Sequence, residues 1–476
     1  MKDLENILDI VSRGGYMSRK LLSFLGNGTY KKCTYKYVQS DRGKNKSYNT
    51  YFIQEALTEI MCKEWGENDD VIIFLTNKAK KENYYPNNKK KIFYNNGEFK
   101  YEHRNGLKHD LETHNYKFNL KPVSIKDGNN MEEIWENFDI IINEIEKGDE
   151  IIFDITHAFR YIPILALVVL NYAKSLKNIK IKGIYYGNYE YENSSDNNPH
   201  FAKGEKPIMN LIELDEILEW SQAVDSFVKY GNSDHIKQFA ETVLDNNKNK
   251  NYYKKDEKII KELVSSLNDF TNTIQTCRGR TVKASDATNS ISRAYTQLRD
   301  SLDKFTDVKG NNMKPLEHII GKIEESLELF KPVENRAEII NTGLGIVEWS
   351  LNNNLIQQAY TALLETMISY MCILENEDYN DKDKRWKIKK RYDEIFFDNS
   401  YLSEYKIQGD IKKEISRTAH ELGKIRNDIN HYGYYLKSDE KPSTSYEELK
   451  DIIENSYYDF KKYIGREESK LIMSYV

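Results

Sequence analysis

Proline and cysteine are both scarce in this chain of 476 residues, which has 8 of the first and 4 of the second. The few prolines stand beside abundant Asn, Lys, Ile and Tyr. That composition is codon bias from an AT-rich genome, so the 35 tyrosines are not read individually as stacking platforms. Cys33, Cys62, Cys277 and Cys372 are scattered, with no CxxC pair and no histidine at metal-ligand spacing, which argues against a zinc site or a disulfide framework. Four unpaired cysteines fit a reducing compartment, and the cytoplasm is the expected location. No long hydrophobic run occurs either: the longest, around Ile162 to Leu170, is far too short to span a bilayer. The first residues lack the apolar segment of a signal peptide. Nor does one sign of charge dominate. With 70 Lys and Arg against 75 Asp and Glu, the net charge of −5 makes no global case for nucleic acid, so any such contact must come from a local patch or a few placed residues.

The composition, 39% hydrophobic and 30% charged, is that of a well-solvated globular protein with enough chain for two or three domains. The stretch SRGGYM (Ser12 to Met17) reads as the translation of a purine-rich ribosome-binding site, which would make Met17 the start and residues 1–16 a mis-annotated leader. Intact mass of protein from the native gene decides this.

Strand and helix alternate through the first half. KLLSFLG (Lys20 to Gly26), TYKYVQ, VIIFLTN (Val71 to Asn77), EIIFDIT, IKGIYYG (Ile181 to Gly187) and a last strand IMNLIEL read as strands. TYFIQEALTEIMCKEW, Met131 to Glu146 and the segment after EIIFDIT read as helices. Lys78 to Val123 is poorly periodic and is expected to be an elaborated loop region with short strands. The pattern predicts a Rossmann-like α/β domain with a mainly parallel sheet and helices on both faces. From about Asp215 the strand-like alternation ends. Helical windows follow at Glu216–Lys229, His235–Leu244, Lys258–Thr276, Ser290–Phe305, Pro315–Phe330, Arg336–Leu351, Ile356–Leu374 and Glu414–Asn430. The expected partition is 17–215 for the α/β domain, 216–330 for a helical linker domain and 331–476 for a second all-α domain.

Ligands of open parallel sheets bind beyond the carboxyl ends of the strands, where loops and helix N-termini converge. Four segments meet that edge here: Gly26, Asn27, Gly28, Thr29 and Tyr30; Thr76 and Asn77; Asp154, Thr156, His157 and Arg160; and Gly187 and Asn188. Gly26 and Gly28 permit a tight turn with exposed amides. Thr29, Asn77 and Thr156 offer hydrogen bonds, while His157 and Arg160 suit a phosphate. This is equipment for a phosphorylated or nucleotide ligand. The plainer alternative makes Asp154 and Thr156 caps of the next helix and Arg160 the partner of a carboxylate.

Together, FLGNGTYKKCTY followed by FDITHAFRYIP resembles the CRISPR-associated CARF domain, in the branch with a first-strand FLGxGxY motif and a DxTHG-type turn. The resemblance implies a homodimer that binds a cyclic oligoadenylate across two sheets, with cyclic tetra-adenylate favoured over cyclic hexa-adenylate, and no other cofactor. Ala158 departs from the family's usual glycine.

Near the C-terminus, ELGKIRNDINHYGYY carries Arg426, Asn427 and His431 in an R-x4-H arrangement. Residues five apart on an ideal helix lie roughly 140° apart around its axis, so Arg426 and His431 meet one substrate only where the helix ends or distorts. His431 and Gly433 supply such a stop. A guanidinium that grips phosphate and an imidazole that moves protons near neutral pH suit metal-free RNA cleavage. With Arg336 to Met371, this segment resembles the helices of a HEPN domain, in which two protomers build one composite ribonuclease site. The two resemblances imply a type III CRISPR ancillary endoribonuclease, switched on by the cyclic ligand and acting on single-stranded RNA without metal. Two other readings stand beside it: a ring nuclease that degrades the cyclic ligand in the α/β domain, and a non-enzymatic nucleotide-responsive regulator. Arg417 and His420 are assigned to a helix surface or dimer seam, Glu365 is expected to pair with a basic residue, and His103, His109 and His114 are expected in solvated loop.

Overall fold

The computed structural model describes residues 18–38, 45–93, 99–157, 161–192, 200–246, 254–278, 290–306, 314–334, 336–397, 409–431 and 445–474. The proposed leader, Ala158, Arg160 and Gly433 lie outside them.

The strands of the first half are β1 (Arg19–Leu25), β2 (Cys33–Tyr37), β3 (Lys46–Thr50), β4 (Asp70–Leu75), β5 (Asn87–Phe93), β6 (Phe99–Arg104), β7 (Asn119–Ser124), β8 (Glu150–Asp154), β9 (Lys180–Gly187) and β10 (Glu205–Asn210). Eight of them form one sheet in the order β3-β2-β10-β9-β8-β1-β4-β7, and β5 and β6 form a separate antiparallel hairpin. β1 is central, pairing in parallel with β8 on one side and β4 on the other. Only the β2–β3 and β9–β10 pairings of this sheet run antiparallel, so it is mainly parallel, as the alternation of elements predicts.

β1 and β4 are continuous apolar runs because both faces of the sheet are covered. Leu21, Leu25, Val71, Ile73 and Leu75 join one core with Ile53, Ala56 and Leu57 of the helix that begins at Ile53. Leu22, Phe24, Ile72 and Phe74 join the other with Phe138, Ile141, Leu165 and Val169, from the helices Met131–Asn143 and Ile162–Lys177. Each such side chain stabilises by about 1.5–3 kcal/mol on burial.

Four expectations change. The last strand ends at Asn210 rather than continuing through Leu214, because the Asn210 side-chain oxygen accepts the Ile212 amide at 3.1 Å and a helix, Ile212–Tyr230, starts there. The Lys78–Val123 region does hold the expected short strands, but it is more regular than an elaborated loop. It holds the β5–β6 hairpin, the helix Leu107–Glu112 and edge strand β7, where Pro122 is tolerated because an edge leaves one side of the strand unpaired. β3, in the polar stretch KSYNT, has no apolar run to find. Two helices beyond the expected windows, Lys382–Phe397 and Tyr446–Ser474, are charged sequences whose buried stripes are thin: Ile388, Tyr392 and Ile395 in one; Ile453, Tyr457, Phe460 and Ile464 in the other.

By its internal contacts the chain divides into Met1–Asp215 and Glu216–Val476. The second unit is helical throughout its described residues, with two apolar cores. The helix Glu338–Asn352 belongs to both: Ile346 and Trp349 pack with Phe227, Phe270 and Phe330, while Ile340, Leu344 and Val347 pack with Leu363, Met367 and Tyr457. Among the described residues no helix is long and apolar enough to cross a membrane.

Candidate functional site

At the carboxyl end of the sheet, the loop after β1 is held from below. Asn83, in the helical turn Lys80–Tyr84 that follows β4 and only 1% exposed, donates its side-chain amide to the carbonyls of Gly26 at 2.8 Å and Gly28 at 3.0 Å. It lies in the plain stretch KKENYY and is no part of the expected site. Arg104 donates to the Tyr30 carbonyl at 2.7 Å and lies over the Tyr51 ring at 4.0 Å, so the other end of the loop is fixed as well.

The chain bends at Asn27 and Gly28, and neither Gly26 nor Gly28 has a positive φ. A Cβ on Gly26 would come within 2.8 Å of Tyr30 Oη and 3.2 Å of the His157 carbonyl, so close approach demands glycine there. A Cβ on Gly28 would meet nothing within 4 Å. Gly28 and Thr29 are exposed and Asn27 is half-buried, so the loop presents its tip to solvent.

Below the tip, Tyr30 is buried against His157, with ring centroids 4.4 Å apart, and against Phe52. Burial pushes the Tyr30 phenol far above its usual range, though an amide hydrogen bond from Gly26 opposes the shift. Burial also pushes the His157 imidazole down to about 4. A lowered imidazole favours the neutral form, which can still donate a ring N–H to a phosphate. Its Nε2 is buried and has no hydrogen-bond partner among the described residues.

Asp154 has no exposed surface with which to touch a ligand. It accepts from Ser23 Oγ at 2.5 Å, from the Thr156 amide at 2.9 Å and from Thr156 Oγ1 at 2.6 Å. Thr156 Oγ1 in turn accepts the Gly187 amide at 2.8 Å. This chain of bonds ties the ends of β1, β8 and β9 together. Burial raises the Asp154 carboxyl above its ordinary range, against the lowering effect of those donors. The helix-cap alternative does not hold, because the next helix begins at Ile162 with no side-chain cap. Thr76 is 1% exposed and caps the short helix Asn77–Ala79 by accepting the Ala79 amide, which leaves Asn77 as the exposed member of that pair. Gly187 is buried, and a Cβ there would lie 2.7 Å from Ile53 Cδ1; Asn188 is half-buried, its amide donating to the Pro207 carbonyl. Of the expected set, then, Gly28, Thr29 and Asn77 are exposed, and Gly26, Asn27, Thr156, His157 and Asn188 keep partial surface. Asp154, Thr156, Thr76 and Gly187 shape the turn.

In the second unit, the helix Gly409–Asn430 ends one residue before His431, whose amide bonds back to the Asn427 carbonyl at 3.0 Å and the Asp428 carbonyl at 3.2 Å. Arg426 is half-buried in the last full turn with a buried Nε, and Asn427 and His431 are exposed. The R-x4-H residues therefore straddle a helix end. Arg417 is exposed and paired with Glu421 at 3.1 Å. His420 stacks on Phe396 at 4.6 Å and reaches Asp393 at 3.3 Å, so it is a packing residue more than a surface one. Glu365 pairs with Arg385 at 2.7 Å. His114 is not simply solvated: its Nε2 lies 3.0 Å from Tyr48 Oη and 3.2 Å from Glu55. His109 is exposed, and the His103 side chain lies outside the described residues. Among the described residues no group of three or more His, Cys, Asp or Glu side chains could hold a metal ion.

Residues 20–190 match the family model described as CRISPR system endoribonuclease Csx1, CARF domain, and residues 216–329 match that described as CRISPR-associated protein MJ1674, second domain. The matches support a CRISPR-associated, CARF-containing protein. Over 346 residues the chain is also 27% identical to the CRISPR-associated protein MJ1674 of Methanocaldococcus jannaschii, covering 71% of this chain and 47% of that protein. The chain thus spans about half the length of the curated relative it matches. The polar turns described above lie at the carboxyl edge of the sheet within the region that matches the CARF model, and the R-x4-H helix end lies beyond both matched regions.

Proposed function

We propose that this protein is a metal-independent endoribonuclease of type III CRISPR defence, acting on single-stranded RNA and activated by a cyclic oligoadenylate bound at the CARF domain. The observation that supports the reading is the helix end itself: Arg426 sits in the last turn and His431 directly follows it, its amide still bonded to the Asn427 carbonyl, so both side chains stand at the C-terminal end of one helix. The second unit would act as a HEPN domain, with a second copy of the chain contributing its own Arg426 and His431.

In the reaction, the 2′-hydroxyl oxygen attacks the adjacent phosphorus and the bond to the 5′-oxygen breaks, leaving a 2′,3′-cyclic phosphate and a 5′-hydroxyl. His431 takes the 2′-hydroxyl proton or returns one to the leaving oxygen, Arg426 stabilises the charge that builds on the phosphoryl oxygens, and Asn427 orients the strand. The CARF ligand would be a cyclic tetra-adenylate or hexa-adenylate, contacting the exposed Asn27–Thr29 tip, Asn77 and Asn188, with Arg160 on a phosphate. Occupancy would shift a population toward the cutting arrangement, which needs a preference of only a few kcal/mol.

An apolar face on the CARF domain supports the homodimer. Ile164, Leu167, Val168 and Leu176 are 41–69% exposed on the helix Ile162–Lys177, beside exposed Met131 and Trp135 on its neighbour. A patch of that kind favours a partner over water.

The test is incubation of labelled RNA with cyclic tri-, tetra- and hexa-adenylates, comparing wild type with His431→Ala. Cleavage that needs one ring and needs His431 supports the reading; ring-independent or His431-independent cleavage overturns it. Mass spectrometry of the ligand after incubation separates sensing from a ring nuclease, for which the unpartnered His157 Nε2 is the group to examine.

A further inference from the structure

The helix Lys382–Phe397 is the most basic described element of a chain whose net charge is −5, with seven basic side chains against three acidic ones. Its charges are not evenly neutralised. Lys384, Arg385, Lys389 and Arg391 are paired with Glu377, Glu365, Asp393 and Glu375. Lys382 and Lys390 are exposed and form no ion pair among the described residues. They stand at four-residue intervals with Trp386, so all three share one face of the helix. Trp386 is 63% exposed, and Lys390 Nζ lies 5.6 Å from its ring centroid. An exposed indole flanked by unneutralised ammonium groups is a poor surface for water and a good one for a base between two phosphates.

The same helix forms one wall of a cavity of about 470 Å³ within the second unit. Lys382, Arg385 and Glu365 line it, as does Arg278 just past the end of the helix Lys254–Gln275. Its lining is apolar at Ile339, Ile346 and Ala362 and polar at Gln358 and Thr361. The volume falls in the range of ligand pockets and accommodates one nucleotide. Arg278 is exposed and, like Lys382, has no carboxylate partner among the described residues.

We infer that the second unit carries a binding tract for single-stranded RNA, distinct from the R-x4-H helix end, in which the cavity takes one unstacked nucleotide and the strand continues over Trp386 between Lys382 and Lys390. The inference rests on the ribonuclease reading for its ligand, and names where that enzyme would grip its substrate away from the scissile bond. The charge is local, so the tract is compatible with an acidic chain. Arg385 is a support within it: its guanidinium is occupied by Ser369 Oγ at 2.8 Å, the Tyr379 carbonyl at 2.9 Å and Glu365.

The experiment measures binding, not cleavage. A fluorescein-labelled, 2′-O-methyl single-stranded RNA, which cannot be cut, is titrated with the full-length protein by anisotropy at several salt concentrations. Trp386→Ala is expected to weaken binding about tenfold, the effect of removing one stacked base. Lys382→Glu with Lys390→Glu, and Arg278→Glu separately, are expected to flatten the salt dependence by about 0.7 in the logarithmic slope for each phosphate that is no longer neutralised. All four positions are exposed, so circular dichroism is expected to be unchanged. Unaltered affinity and slope in every variant overturns the tract, as does equal affinity for a duplex of the same sequence. A Trp386→Ala change that alters the oligomeric mass and leaves affinity untouched assigns the face to protein and likewise overturns it. Because no cleavage is read, failure of the ribonuclease reading would show separately, as tight binding without cutting of unmodified RNA.

Discussion

The ring of Tyr30 lies 4.4 Å from the imidazole of His157, with Tyr30 buried and His157 half-buried near the exposed tip of the β1 loop. That packing has a pH consequence. The imidazole titrates at about 4 in the fold against 6.5 ordinarily, so between those values the unfolded chain binds the extra proton. Stability contributed by the neutral imidazole is complete above 6.5 and is lost as pH falls toward 4, by up to about 3 kcal/mol. Asp154 works in the opposite sense, since its raised carboxyl favours the native state at low pH and loses that advantage as pH rises through its folded value. Urea midpoints at pH 7.5 and 5 for wild type and His157→Gln isolate the histidine: the variant is expected to lose less stability on acidification, and parallel behaviour of the two proteins would rule this out.

Asn83→Ala leaves the Gly26 and Gly28 carbonyls without the side-chain donor that fixes them. Loss of two buried hydrogen bonds destabilises by about 1–3 kcal/mol. The loop it positions carries the proposed ligand contacts, so the activator concentration for half-maximal cleavage is expected to rise about tenfold, the equivalent of about 1.4 kcal/mol. Asn83→Asp is expected to behave like alanine, because it keeps the size and removes the donors. An unchanged activation curve in both separates the loop from ligand binding.

Thr156→Val keeps the shape of the side chain and deletes an oxygen that serves Asp154 and the Gly187 amide at once. Thermal denaturation is expected to show a loss of about 1–3 kcal/mol, with Thr156→Ser retaining most of the stability. If activation by the cyclic ligand shifts in proportion, the turn acts on the ligand through its rigidity; if only stability moves, the turn is structural.

His431→Ala is expected to reduce RNA cleavage by at least about a hundredfold, the usual contribution of a general acid or base, while sedimentation and ligand binding stay as in wild type. Arg426→Ala is expected to do the same by removing the guanidinium that stabilises the charge building on the phosphoryl oxygens. Full activity in either variant removes that residue from the chemistry.

Cleavage is expected to survive EDTA, since the proposed steps use only the hydroxyl, the imidazole and the guanidinium. Strict dependence of the rate on added Mg²⁺ would count against the proposed chemistry.

The class change near Asp215, the buried strands β1, β4 and β8 and the polar edge they share were all legible in the chain. Each depends on periodicity or on a run of apolar residues, and those are properties of neighbours in sequence. β3, β7 and the helices Lys382–Phe397 and Tyr446–Ser474 were not, because an edge strand or a half-exposed helix needs only a thin buried stripe, which charged and polar residues obscure.

Within the site the division follows the same physical line. The sequence alone determined which side chains gather at the strand ends, since a parallel sheet delivers every such turn to one edge, and it determined that Arg426 and His431 flank a helix stop. Only the tertiary structure decided that Asp154 and Thr76 are buried supports, that burial lowers the His157 imidazole, and that Asn83 holds the loop from 55 and 57 residues away. Burial, protonation and long-range hydrogen bonds are set by what lies across space from a residue, and no local pattern of amino acids encodes that.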